Sequence, residues 1–203
     1  MQTMKSPNEA GVDEVGRGCL LGPVFAAAVV LPTNINEIEG HEIIKDSKLL
    51  SKKNRNTAFD FIQKNAICTS TAFSDVEYID EHNILRATIS AMHKALRSLK
   101  ETPAKILVDG TQFEKYHSID HECVVQGDRK YMNIAAASII AKVTRDDYIG
   151  NLCKHESELQ EKYSLNNNMG YGTKKHIDGI AKFGICKHHR KTFNPCKNYL
   201  SSQ

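Results

Sequence analysis

The 203-residue sequence has no Cys-x-x-Cys pair, no Gly-Lys-Ser/Thr element, no internal repeat and no low-complexity tract. Each absence removes a class of function. Its six cysteines (19, 68, 123, 153, 186 and 196) are scattered, which excludes a zinc ribbon and a small disulfide scaffold and predicts reduced thiols. Cys186-x-His188-His189, with Cys196 beyond it, fits no common zinc spacing. The missing Gly-Lys-Ser/Thr rules out a Walker-type phosphate loop. There is no run of ~18 apolar residues that could cross a bilayer. Met1-Gln2-Thr3-Met4-Lys5-Ser6-Pro7 lacks the apolar region of a signal peptide. These absences predict a soluble cytoplasmic protein without membrane contact, and nothing in the chain calls for more than a monomer.

What is present suits a globular enzyme. At this length, with 40% apolar residues, the chain can bury a real core and is expected to form one domain over 1–203. The net charge is only +3, but it is uneven. Residues 171–203 hold seven Lys/Arg against one acid, Asp178, a local charge of +6 that leaves −3 on residues 1–170. Tyr171, Phe183 and Phe193 interleave with those cations, as on a nucleic-acid-binding face.

The most informative stretch is Gly11-Val12-Asp13-Glu14-Val15-Gly16-Arg17-Gly18, which runs through Gly22-Pro23 into Val24–Val30. Two adjacent carboxylates stand beside a glycine turn with one arginine. The glycines let backbone approach a ligand closely, and a guanidinium suits phosphate. Two anions beside a phosphate-binding turn would repel the phosphate unless a divalent cation lies between them, and hard oxygen ligands suit Mg²⁺ or Mn²⁺. The spacing Gly16-x-Gly18-x-x-x-Gly22 departs from the dinucleotide fingerprint and opens into a strand instead of a helix.

The remaining pattern predicts a mixed α/β domain. Gly11–Asp13 and Val24–Leu31 read as the first strands. Ser51 caps a helix to about Lys64, and Ile67–Phe73 is a strand. Ser74 or Asp75 opens a helical region to about Lys100 with a break near Asn83. Lys105–Gly110 and Glu122–Val125 are short strands, and a long helix starts at Asn133 with the small residues Ala135–Ala137. Asn166–Gly172 reads as a loop, and Thr173 caps a last helix to about Phe183. The acids Asp13-Glu14, Asp109 and Asp128 then fall at three strand ends, where α/β sheets collect ligands. Such a set could hold two cations about 4 Å apart for an in-line displacement at phosphorus. Neighbouring strand residues face opposite ways, so the strand is expected to distort if Asp13 and Glu14 both aim inward.

Asp13-Glu14-Val15-Gly16-Arg17-Gly18 resembles the Asp-Glu-Ala-Gly-Arg-Gly signature of ribonuclease HII, the type 2 ribonucleases H. The likeness continues at Asp46-Ser47-Lys48, Leu107–Gly110, Gly127-Asp128, Ile134–Asp146 and Gly170-Tyr171-Gly172-Thr173-x-x-His176, so it spans Gly11 to Phe193. It implies a ribonuclease H-like mixed sheet flanked by helices, with a basic C-terminal helical extension over about 165–203. It places the metal-binding, catalytic acids on Asp13, Glu14, Asp109 and Asp128, with Mg²⁺ or Mn²⁺ as cofactor. It places substrate contacts on Gly16, Arg17, Gly18, Lys48 and Tyr171. The implied substrates are RNA/DNA hybrids and duplex DNA with an embedded ribonucleotide, cut on its 5′ side to leave 5′-phosphate and 3′-hydroxyl ends.

Two positions depart from the pattern: Val15 stands where alanine is usual, and Leu49 replaces a second lysine, removing a possible phosphate contact. Arg17 and the early signature favour type HII over the related HIII. Asp146 could enter the site or simply pair with Arg145 or Lys142, the structural role being the one expected, and His176 and His188 are expected to serve packing or backbone contacts. Other acid-rich nucleases, such as 3′–5′ exonucleases and transposase-like enzymes, typically show Asp-x-Glu. A silent nucleic-acid-binding module would gain nothing from four acids opposing phosphate.

Overall fold

The computed structural model describes residues 8–202; the leader-free reading of residues 1–7 lies outside them. A five-stranded sheet forms the centre, in the order β3-β2-β1-β4-β5. The strands are β1 (Glu9–Val15), β2 (Val24–Val30), β3 (Cys68–Ser74), β4 (Lys105–Asp109) and β5 (Asp120–Val124). β1, β2 and β3 pair antiparallel, whereas β1, β4 and β5 pair parallel. This is the ribonuclease H-like mixed sheet that the resemblance implied.

Each face of the sheet is covered by one long helix, and the strand sequences sort between them with period two. Ala26, Ala28 and Val30 of β2, with Ala10 and Val12 of β1 and Ile106 and Val108 of β4, bury against α2 (Val76–Arg97). Ala27 and Val29 turn the other way, to α4 (Met132–His155), where they meet Ala135, Ala136, Ile139 and Ile140. A methyl group on Gly11 would overlap the backbone of Asn133 and Ile134, so the glycine and the alanine run let α4 lie hard against the sheet. Each fully buried aliphatic side chain contributes ~1.5–3 kcal/mol, and β2 is buried along its whole length.

Local signals set the helix ends. The Ser51 hydroxyl accepts from Asn54 N–H at the start of α1 (Lys52–Asn65), and the Asp75 carboxylate accepts from Tyr78 N–H at the start of α2. At Asn83 the chain leaves helical geometry (φ 69°), and the Asn83 side chain accepts from Leu85 and Arg86 N–H to recap the second half. The expected break is therefore a cap inside the helical region.

Two expectations need correction. Asp128 is not at a strand end: β5 stops at Val124, Gln126 adopts a left-handed turn, and Asp128 lies in a one-turn helix, α3 (Gly127–Lys130). The stretch from Asn166 is not all loop. After α5 (Glu158–Tyr163), residues Leu165–Asn168 form a short helix, α6, bracketed by left-handed Ser164 and Met169. α7 (Lys174–Phe183) and a 3₁₀ helix at Cys196–Ser202 complete the C-terminal segment. That segment packs Leu159, Tyr163, Leu165, Ile180 and Cys196 onto Leu20 and Leu21. No helix of the described residues is long and apolar enough to cross a membrane.

Candidate active site

A cleft of about 490 Å³ opens at the carboxyl ends of β1 and β4. It is lined by Asp13, Glu14 and Asp109, by Val15 and the Gly16-Arg17-Gly18 turn, by Ser47, Lys48 and Arg55, by Ser138 and Lys142, and by Tyr171. Sheet parity explains the acids. Ile106 and Val108 face α2, so Asp109 has the parity of the α4 face, as does Asp13 next to α2-facing Val12. Glu14 has the opposite parity, yet β1 shows no slip: its register with β2 is regular through Val15↔Phe25. The expected strand distortion is absent. Pairing with β4 instead ends at Val12↔Val108, so Glu14 enters the cleft where that side of β1 is no longer covered.

Electrostatics bind these acids into one group. Burial holds the Asp13 carboxyl well above its ordinary range, and the charges of Glu14 and Asp109 push it further. Burial also raises Glu14; Arg17, whose Nη1 lies 3.6 Å away, counters this, and Asp109 adds to it. Asp109 is raised by burial and by Asp128, although Gly127 N–H donates to its Oδ1 at 2.6 Å. Asp128 is buried at the rim on α3, outside the lining set, with Lys48 Nζ 3.4 Å from its Oδ2. Lys48 is placed by Asp46, whose carboxylate accepts from Lys48 N–H (3.0 Å) and from Arg129 Nε (3.1 Å). Leu49 points to solvent at 73% exposure.

Among the described residues, no three His, Cys, Asp or Glu side chains converge into a closed metal cage. The donor chemistry nevertheless fits a hard divalent cation. Buried Asp13 and half-buried Glu14 and Asp109 all have raised pKa values, each with a neighbouring acid among the causes, and the cations beside Glu14 and Asp128 are side chains that can swing away. Asp13, Glu14, Asp109 and Asp128 are the residues that could hold it.

The opposite wall was only partly legible in the sequence. Ser138, Lys142 and Arg145 recur at i, i+4 and i+7 as a polar stripe on α4, a helical signal in the sequence. Lys142 Nζ lies 5.8 Å from the Tyr171 ring centre. Asp146 pairs with Lys142 (2.8 Å) and Arg55 (3.9 Å), a structural role as expected, but not with Arg145. Arg145 and Arg190 are both wholly buried. Arg190 therefore does not belong to the solvent-facing charge of the basic tail, and burial lowers its pKa to about 10.

His176 makes the backbone contact expected of it, as part of a directed chain, whereas the His188 ring meets a charged side chain instead, its Nε2 lying 3.1 Å from Glu156 Oε1. Cys186 N–H donates to His189 Nδ1 (3.0 Å), so that ring holds its proton on Nε2 and donates to His176 Nε2 (3.1 Å). His176 then donates from Nδ1 to the Tyr171 carbonyl (2.9 Å). An added proton would set two donors face to face. Burial lowers the pKa of both rings, that of His189 to about 3. Between pH 6.5 and about 3 the unfolded chain binds a proton that folded His189 refuses, so stability is full above pH 6.5 and falls as pH drops through that window. We expect this ring to add up to ~1.4 kcal/mol per pH unit to acid destabilisation. Melting curves of wild type and His189→Gln across pH 7 to 4 check it, and parallel declines would rule it out.

Comparison with known proteins identifies the family. The ribonuclease HII family profile matches residues 10–196. The chain belongs to the ribonuclease HII family. A ribonuclease HII from Christiangramia forsetii is 48% identical over 184 residues, covering 91% of this chain and 89% of that protein. The crystal structure of ribonuclease H2 from Pyrococcus horikoshii superposes with a TM-score of 0.76 at 25% identity, covering 94% of this chain and 96% of that one. Bst-RNase HIII, solved in complex with Mn²⁺, shares the fold at a TM-score of 0.64 and 16% identity, covering 87% of this chain and 70% of that one. This ribonuclease HII chain is thus a ribonuclease H, a hydrolase acting on nucleic acid.

Proposed function

We propose that the enzyme cuts the RNA strand of RNA/DNA hybrids and cuts duplex DNA on the 5′ side of a single embedded ribonucleotide. The products would bear 5′-phosphate and 3′-hydroxyl ends. The observation that supports this best is that one cleft joins the acidic group to the Gly16-Arg17-Gly18 turn and Tyr171. Asp13, Glu14, Asp109 and Asp128 would hold a pair of divalent cations, Mg²⁺ or Mn²⁺; the HIII neighbour with Mn²⁺ is consistent with this. Bound there, the cations supply Lewis-acid activation and charge neutralisation for in-line displacement at phosphorus.

The chain's own residues do the rest. Arg17, 48% exposed at its side chain, reaches for the strand's phosphates. The turn's backbone approaches the ribose 2′-hydroxyl, which alone marks a ribonucleotide within DNA. Lys48, its side chain largely exposed beside Asp128, offers an ammonium to phosphate at the rim. Tyr171, 38% exposed, offers a ring for stacking. The exposed lysines of the single catalytic domain's C-terminal extension extend the grip along the backbone.

A duplex with one ribonucleotide tests the reading. Cleavage in Mg²⁺ or Mn²⁺, abolished by chelator, with a 3′-hydroxyl upstream of the ribonucleotide, is the expected result. Metal-independent cutting, or cutting of an all-DNA duplex at the same rate, would overturn it.

A further inference from the structure

The Gly16-Arg17-Gly18 turn is gripped from behind. Arg190, which follows α7, donates Nη2 to the Gly16 carbonyl (2.7 Å), Nη1 to the Arg17 carbonyl (2.8 Å) and Nε to the Gly22 carbonyl (2.9 Å). Arg145 of α4 donates to the carbonyls of Met169 (2.7 Å), Leu21 (3.1 Å) and Pro23 (3.2 Å) on the same segment and its neighbour. Each of these donors ends on main-chain oxygen rather than on a carboxylate. A Cβ on Gly16, which has φ +90°, would collide with the Arg145 side chain. A buried guanidinium loses much hydration, and the carbonyl dipoles are what replace it.

A trans peptide is planar, with its C=O and the following N–H pointing to opposite sides. When the Gly16 and Arg17 carbonyls turn inward to Arg190, the amides of Arg17 and Gly18 must turn outward, where those residues line the cleft. Among the described residues neither amide donates to any acceptor, whereas the next one, Cys19 N–H, closes the turn on the Gly16 carbonyl (3.3 Å). Successive free amides in a turn form an anion-binding concavity, and here a fixed cation behind two peptide units polarises both toward the cleft.

We propose that Arg190 is a positioning residue for substrate: its fork fixes two turn peptides so that the Arg17 and Gly18 amides are presented together to a backbone phosphate. The inference rests on the reading above that this turn faces the nucleic acid. It gives part of the basic C-terminal segment a role at the cleft without contact with the substrate.

Arg190→Lys keeps the charge and loses the fork, and Arg17→Ala tests the turn itself. On an RNA/DNA hybrid, at a temperature where circular dichroism shows each variant folded, we expect Arg190→Lys to raise KM on the order of tenfold, with kcat changed much less. A folded Arg190→Lys with wild-type KM, beside a weakened Arg17→Ala, would overturn the proposal and leave the turn reading standing. Wild-type KM in both variants would remove the turn reading as well. Should Arg190→Lys fail to fold, the wild-type enzyme decides: titration with inorganic phosphate should move the Arg17 and Gly18 amide resonances together. Phosphate shifts that spare both amides would overturn the proposal.

Discussion

Asp109→Asn is expected to cut the cleavage rate by roughly 10³-fold or more while leaving the protein folded and able to bind a hybrid. The substitution is close to isosteric, and the short hydrogen bond from Gly127 can persist, because an amide oxygen can take the Gly127 N–H as the carboxylate Oδ1 does at 2.6 Å. What disappears is a negative charge shared with Asp13, Glu14 and Asp128. The same repulsion predicts a second outcome of opposite sign. In chelator, where no cation offsets the acids, Asp109→Asn should melt no lower than wild type, because a half-buried like charge has been removed. Adding Mg²⁺ should then raise the melting temperature of wild type more than that of the variant. Near wild-type cleavage by the variant would refute the site assignment. A lower melting temperature in chelator would refute the electrostatic account alone.

Elements whose signals are local could be read directly. Ser51 and Asp75 cap the helices they precede, Asn83 breaks and recaps α2, and the alternation along Val24–Val30 divides the side chains between two helices. What stayed hidden depends on partners far apart in sequence. Arg190 lies among cations that read as a solvated, nucleic-acid-facing tail, and only the folded chain brings it to carbonyls more than 160 residues earlier. Asp128 read as a strand-end acid because Gly127-Asp128 follows an apolar run; the left-handed backbone at Gln126 that turns it into a helix has no strong residue signal. The two acids of β1 posed a parity conflict on paper. It dissolves in the fold because a strand can outlast its partner by a residue or two.

The largest selective effect is expected at Tyr171, in how the enzyme distinguishes one ribonucleotide from a run of them. Tyr171 is bridged to Cys19, directly after the glycine turn, and its carbonyl is held by His176. Its ring lies about 5.8 Å from the Lys142 ammonium and 5.9 Å from the Arg145 guanidinium. Burial pushes the Tyr171 hydroxyl pKa up to about 12, so the ring stays neutral at working pH. The distance from turn to ring is therefore fixed by backbone, as a gauge needs: on the proposed function the turn would meet the 2′-hydroxyl while the ring would stack on the neighbouring deoxyribose, where a second hydroxyl would crowd it. Within a long hybrid every neighbour is a ribose, so the ring contributes less. Aromatic stacking in nucleic-acid complexes contributes roughly 1–3 kcal/mol. Tyr171→Ala should thus slow cleavage at a single embedded ribonucleotide on the order of tenfold or more beyond its effect on a hybrid, and Tyr171→Phe should restore most of the difference. Parallel rates for both variants on both substrates check this. Equal losses on the two substrates would leave Tyr171 as a packing residue and return discrimination to the turn.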